Sequence, residues 1–275
     1  MISLKKSIGT IIVNIITIFI SLIILIPMVV LFLNSFKTKG ESNKMSLSFP
    51  KEWMLENYKT VIEQGKLISS FFNSLLYATV SVLIITIVVS AAAFVIARNR
   101  NGINNFIYYF IISGIAIPIN NVALMKVLQV LHLVNTRIGI ILIYAAINIP
   151  LSLFLSYGFI STIPREIDEA AVLDGCGPVQ LFVKIILPLL KPIISTLFVL
   201  NFMAVWNDFT MPLYYLNNSA KWPMTLAVYN FFGAFENSWN LVSADIMLTL
   251  LPVLVIFILG QKYIVGGVAA GSVKG

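Results

Sequence analysis

The sequence predicts an all-α membrane protein, a polytopic bundle of six transmembrane helices, on three observations. Of its 275 residues, 59% are hydrophobic and only 11% are charged, where a soluble domain carries roughly 25% charge. The apolar residues gather into long charge-free runs, each comparable with the ~20 residues a helix needs to cross about 30 Å of hydrocarbon. Those runs lack the strict polar alternation of barrel strands, so the α-helix is the form that pairs every backbone group within lipid.

Taken in order, the runs place spans at about 8–36, 71–97, 106–131, 138–163, 192–216 and 244–264 of a single domain covering 1–275. Lys5 and Lys6 precede an uncharged stretch over 7–36. That stretch is too long for the 7–15-residue core of a cleavable signal and has no small-x-small cleavage site, so it is expected to stay as the first span. The loop over 37–70 carries Trp53, Leu55, Tyr58 and Ile62 at near-helical spacing, which predicts a short amphipathic helix at the outer interface. Asp208 interrupts the fifth run and Asp245 opens the sixth.

With the N-terminus inside, flanking cations divide nine against nine, but six of the outer lysines lie in the loop over 37–70. Long loops obey the positive-inside rule weakly, and without this one the count is nine inside against three outside, Lys126, Arg137 and Lys221. Both termini are therefore expected in the cytoplasm. The net charge of +7 comes from cations scattered singly or in pairs between apolar runs, which fits a membrane and not a nucleic-acid partner.

One cysteine, Cys176, and one histidine, His132, leave no disulfide framework and no Cys/His metal site; both residues read as structural. No Gly-x-x-x-x-Gly-Lys-Ser/Thr loop exists to hold ATP, and neither His-Glu-x-x-His nor Gly-x-Ser-x-Gly is present. The expectation is a non-catalytic chain without a cofactor of its own.

The most specific segment is 164–191. Pro164 suits a first helical turn; Glu166, Asp168 and Glu169 put negative charge where the helix dipole favours it; Gly175 offers a left-handed cap. A short acidic helix follows from this. Its Ala170 and Ala171 allow another surface to approach the backbone closely, while Glu169 and Asp174 remain available to charged partners. After Gly177 and Pro178, residues Leu181, Phe182, Ile185, Ile186 and Leu189 recur at helical spacing with Lys184 off that side, which predicts a second helix along the membrane face. Pro188 and Pro192 then bend the chain into the fifth span.

Glu169-Ala170-Ala171, Gly175, Ile185 and Leu187-Pro188 stand at the spacing of the "EAA" loop, and the segment resembles that loop in permease subunits of ABC importers. The run from Gln261 to Gly275 looks like the tail of the second permease of maltose-type carbohydrate importers. Glu56-Asn57-Tyr58, Asn73-Ser74-Leu75 and Trp206-Asn207-Asp208 with Pro212-Leu213 support the same resemblance; Asp245, an acid where a small neutral residue is expected, departs from it. The resemblance implies a chain in a bacterial cytoplasmic membrane that works with a second related permease, two ATP-binding subunits that hold ATP and Mg, and an extracytoplasmic sugar-binding protein. Glu169, Ala170, Ala171, Asp174 and Gly175 would then transmit ATPase movement, and the tail over 265–275 would add a contact through Gly271, Ser272, Val273, Lys274 and Gly275.

Polar residues within spans have two readings, a lining of the solute path or hydrogen bonds that brace helices. Asn73, Asn120, Asn121, Asn148, Asn201, Asn207 and Asp208 are the candidates. Trp222, Tyr229, Phe232 and Trp239, in the aromatic stretch over 221–240, are candidates for binding-protein contact by resemblance, although aromatics also mark membrane interfaces. The expected solute is a sugar or oligosaccharide, with a polyol, peptide or phosphoester as alternatives. An ion-coupled secondary transporter would call for paired acids in mid-span, which Asp208 and Asp245 do not supply.

Overall fold

A computed structural model describes residues 2–232 and 238–272, which form helices joined by turns and short loops. Among the described residues, four helices are long and apolar enough to cross a membrane: Ile12–Ser35, Leu67–Arg98, Arg137–Ile160 and Trp239–Gln261. A fifth candidate is bent by 71° between Pro178–Leu189 and Lys191–Asn207, the place where Pro188 and Pro192 predict a bend. We number the helices α1 (Ile2–Ser35), α2 (Glu56–Gln64), α3 (Leu67–Arg98), α4 (Gly102–Ser113), α5 (Asn121–Val130), α6 (Arg137–Ile160), α7 (Glu166–Leu173), α8 (Pro178–Leu189), α9 (Lys191–Asn207), α10 (Thr210–Tyr215) and α11 (Trp239–Ser272).

Three expected spans differ from what is observed. The run over 106–131 is two short helices, α4 and α5. Pro118 lacks an N–H and disfavours helix in the residue before it, and the Asn120 side chain accepts from the N–H groups of Val122 (3.1 Å) and Ala123 (3.0 Å), starting a new helix. The run over 192–216 breaks at Asp208, whose carboxylate accepts from the N–H groups of Thr210 (3.3 Å) and Met211 (2.9 Å) and so opens α10. The sixth run begins earlier, at Trp239, and remains helical through Ser272. Gly271 and Ser272 therefore belong to α11; Val273, Lys274 and Gly275 lie outside the described residues.

The chain forms two compact units, Met1–Ile68 with Ala227–Leu250, and Ser69–Leu226 with Leu251–Gly275. In the first, the apolar window of α1 is unburied, as a lipid-facing helix requires, but its end is fixed. Asn57 of α2 donates to the carbonyls of Ser35 (2.8 Å) and Lys37 (2.9 Å) and accepts from Asn240 of α11 (2.9 Å). Lys37 is buried, its Nζ donating to the Ser46 carbonyl at 2.7 Å. Burial holds its pKa below the usual lysine range, against an opposing pull from Glu41. The amphipathic helix expected in this loop is α2; it buries Asn57 and Val61, while Trp53 and Leu55 just before it stay exposed. Asp245 is fully buried near the start of α11.

The second unit is built on α3. Ile85, Val89, Ala93 and Ile96 pack in one core with Leu153 and Ile160 of α6, Ile186 of α8 and Leu197 of α9. Close approach of α11 to α9 depends on Gly260, where a Cβ would meet the Val199 side chain at 2.7 Å; small residues let membrane helices pack in this way.

Candidate functional site

The α7 helix is short, and its ends explain why it is well formed. Glu166, Asp168 and Glu169 occupy its first turn, next to the positive end of its dipole. At the other end the Gly175 N–H donates to Val172 O and the Cys176 N–H to Ala171 O, both at 3.0 Å. This is the paired closure of a Schellman cap, which needs a left-handed residue between helix and loop. Gly175 supplies it with φ +81°. A Cβ there would meet nothing within 4 Å, so the requirement comes from backbone conformation and not from space.

The two faces of α7 differ. Ala171 is buried and packs into the core of the second unit with Ile163, Ile160 and Leu181. Glu169, Ala170, Val172 and Asp174 are exposed, and Leu173 is 88% exposed. Of the two alanines expected to admit an incoming partner, Ala170 is exposed, while helical periodicity turns the Ala171 side chain inward against this chain's own helices. Val172 and Leu173 form an exposed apolar pair, and Val179, six residues further along the chain, is 75% exposed. Sequence reasoning missed this surface, because two apolar residues beside a buried alanine carry no sign of facing outward.

Arg98, the last residue of α3, holds α7 from behind. Its Nε lies 2.6 Å from Asp168 Oδ2 and its Nη2 donates to Asp168 Oδ1 at 3.2 Å, while Nη1 donates to the Ile163 carbonyl at 3.1 Å. A planar guanidinium suits such a fork of acceptors. Arg165, just before α7, reaches back to the terminal carbonyls of α3 at Ala97 (3.5 Å) and Arg98 (3.4 Å). In the sequence Arg98 counts only as a flanking cation and Asp168 only as a first-turn acid, since 70 residues separate them.

In α8, the helix expected along the membrane face, Leu181 and Ile186 are buried, Phe182 and Ile185 half-buried and Lys184 exposed. Leu189 is 41% exposed, so the apolar side is covered at its start and open at its end.

The polar candidates divide clearly. Asn73 of α3 is buried; its amide donates to the carbonyls of Ala220 (3.0 Å) and Trp222 (3.1 Å), and its oxygen accepts from Arg137 Nη2 (3.1 Å) and Nε (3.3 Å). Asn201 and Ser152 bond each other between α9 and α6 at 3.0 Å, and Asn148 donates to its own helix at Tyr144 O. Asn120 caps α5, and Asn121 accepts from the Tyr215 hydroxyl through both its carbonyl and its side chain. Asp208, besides opening α10, accepts from the Tyr144 hydroxyl at 3.0 Å. Each of these side chains has a structural partner within the chain; Asn120 and Asn207 are the exposed members of the group.

Among the aromatic candidates, Tyr229, Phe232 and Trp239 form a chain of ring contacts in the first unit, with centroids 5.5 Å and 5.8 Å apart. Trp222, in the second unit, donates its indole N–H to the Leu216 carbonyl at 2.9 Å.

Comparison with known proteins decides the family. Residues 92–268 match the model of the binding-protein-dependent transport system inner membrane component. The chain belongs to that family. Its relatives agree: it is 36% identical over 256 residues, 92% of this chain and 93% of the relative, to a probable starch degradation products transport system permease protein of Thermoanaerobacterium thermosulfurigenes. It is 35% identical, over 91% of each chain, to a melibiose/raffinose/stachyose import permease protein of Bacillus subtilis. In fold it resembles a chain of a bacterial ABC transporter that imports the acidic polysaccharide alginate, with a TM-score of 0.82, 21% identity, and coverage of 94% of this chain and 97% of the other. As an inner membrane component of such a transport system, the chain is a membrane-embedded transporter permease.

Proposed function

We propose that this permease is one half of the translocation path of an ATP-driven importer for a sugar or oligosaccharide. It would be paired with a second related permease, two ATP-binding subunits and an extracytoplasmic sugar-binding protein in a bacterial cytoplasmic membrane. The observation that carries the reading is α7: a capped helix whose outer face presents Glu169, Ala170, Val172, Leu173 and Asp174, and whose inner face is anchored by Ala171 and Asp168. A rigid helix of this kind, seated in a groove of an ATP-binding subunit, passes a rigid-body movement to the spans and biases an inward-open against an outward-open state. ATP and Mg are held by the ATP-binding subunits, and this chain supplies no catalytic group. The α7 end of α3 faces the cytoplasm in this reading, as do both chain termini, and Gly271 to Gly275 extend towards the ATP-binding subunits. Two relatives named for starch products and for raffinose-type sugars support a carbohydrate as the solute.

The test is reconstitution of the whole complex in proteoliposomes with its binding protein. Glu169→Lys and Gly175→Val should each lower solute-stimulated ATP hydrolysis and uptake by about tenfold or more, roughly the loss expected when one charged contact or the cap is removed from an interface, while the chain remains in the membrane. Unimpaired stimulation in both variants would sink the docking role of α7. A screen of the binding protein that finds only polyols, peptides or phosphoesters would correct the solute and leave the rest standing.

A further inference from the structure

Resting on the function proposed above, we propose that Arg98 is a positioning residue that makes α7 and the end of α3 one rigid body, so that displacement of α7 is delivered to α3.

The need for such a residue follows from the connection. Residues 161–165 join α6 to α7 by turns, and a turn can absorb a tilt of the helix it carries. The apolar hold on α7 consists of Ala171 with neighbouring Ile163 and Ile167. Such contacts are non-directional and permit rocking. Arg98 adds direction. One guanidinium donates to Asp168 Oδ1 in the first turn of α7 and to the Ile163 carbonyl in the connection itself, and its Nε lies beside Asp168 Oδ2 in the ion pair. Arg165 returns the contact from the α7 side to α3. The Arg98 and Asp168 side chains are only 11% and 16% exposed, so the pair is largely screened from water and its geometry is enforced more strongly than in a surface pair. Arg98 also ends the helix whose Ile85, Val89, Ala93 and Ile96 form the core of the second unit. A push on Asp168 is therefore applied to the end of the helix around which that unit packs.

Two measurements on the intact complex test this. In the first, nitroxide labels are placed at Glu166 of α7, which is not among the residues assigned to the docking face, and at Val95 of α3, both exposed, after Cys176→Ser. The distance distribution is expected to be narrow with Arg98 present and at least about twofold broader in Arg98→Gln, with Arg98→Lys in between, because an ammonium cannot span the fork. In the second, Arg98→Gln should retain the ATP-binding subunits on affinity purification and keep ATP hydrolysis within about twofold, yet lower solute imported per ATP by about fivefold, a loss on the scale of coupling changes along a packed path. Arg98→Glu combined with Asp168→Arg should recover at least half of that loss, which a merely structural role for either residue alone would not give. An equally narrow distribution in Arg98→Gln, or unchanged solute per ATP in an intact complex, overturns the proposal. If the unsubstituted chain purifies without any ATP-binding subunit, the function proposed above fails instead, and the delivery of movement fails with it; the distance measurement still reports separately whether the joint is rigid.

Discussion

The two ends of α3 are fixed by different chemistry. Towards its start, Asn73 and Tyr77 donate to main-chain carbonyls of Ala220, Trp222 and Lys221, Ser74 accepts from the Met224 N–H, and Asn73 accepts from Arg137. At its finish the attachment is charged: Arg98 pairs with Asp168 and donates to the Ile163 carbonyl, and Arg165 returns two longer bonds to the carbonyls of Ala97 and Arg98. Many contacts, mostly neutral and made to backbone, form a brace that no single substitution of a distant side chain can release. A charged fork forms a joint, strong while both partners are present and weakened when either changes. A permease needs both, because a helix that transmits movement must be held at one end and driven at the other.

The comparison can be broken most severely at the brace. Asn73→Leu leaves the carbonyls of Ala220 and Trp222 and the Arg137 guanidinium without that partner. It should lower stability by about 3 kcal/mol, since each stranded polar group costs about 1–3 kcal/mol, read as a reduced unfolding temperature in detergent. At the joint, Arg98→Glu places two acids face to face. The expected loss is about 2 kcal/mol, smaller than for a fully buried unpaired charge because both side chains keep some solvent contact. Adding Asp168→Arg should return most of it in a double-mutant cycle. Tyr144→Phe removes the hydroxyl that donates to Asp208 and sharpens the contrast from a third place, with an expected cost of about 1 kcal/mol and little change in solute per ATP. The smallest effect should come from Asn201→Leu, which breaks the bond to Ser152 between α9 and α6; polar bonds between membrane helices average about 0.6 kcal/mol. If Asn201→Leu were to lower transport more than Asn73→Leu, the assignment of Asn201 to bracing would be wrong and a place on the solute path would be favoured.

Much of the segment over 164–191 is legible in the residues themselves. Gly175 as a left-handed cap, the acidic first turn and the bend near Pro188 and Pro192 are consequences of local stereochemistry and local charge, and each is observed. The polar candidates are less legible. Asn73, Asn201 and Asp208 stand out as polar residues in apolar surroundings, but their partners on other helices and loops lie 49 to 149 residues away, and spacing along the chain carries no sign of them. The break within 106–131 has a signal in Gly114, Pro118 and Asn120 that a window of charge-free residues does not weigh.

By itself the sequence determined that this chain lives in lipid, where its long apolar runs lie, and that a capped acidic helix precedes the fifth of them, because burial in hydrocarbon and helix capping depend on residues close together in the chain. Only the tertiary structure decided that Ala171 faces inward while Leu173 faces outward, that Asn73 binds backbone, and that Arg98 grips Asp168. Those facts depend on which helices become neighbours, and distances of about three or four ångströms between side chains are set by the packing of the whole unit.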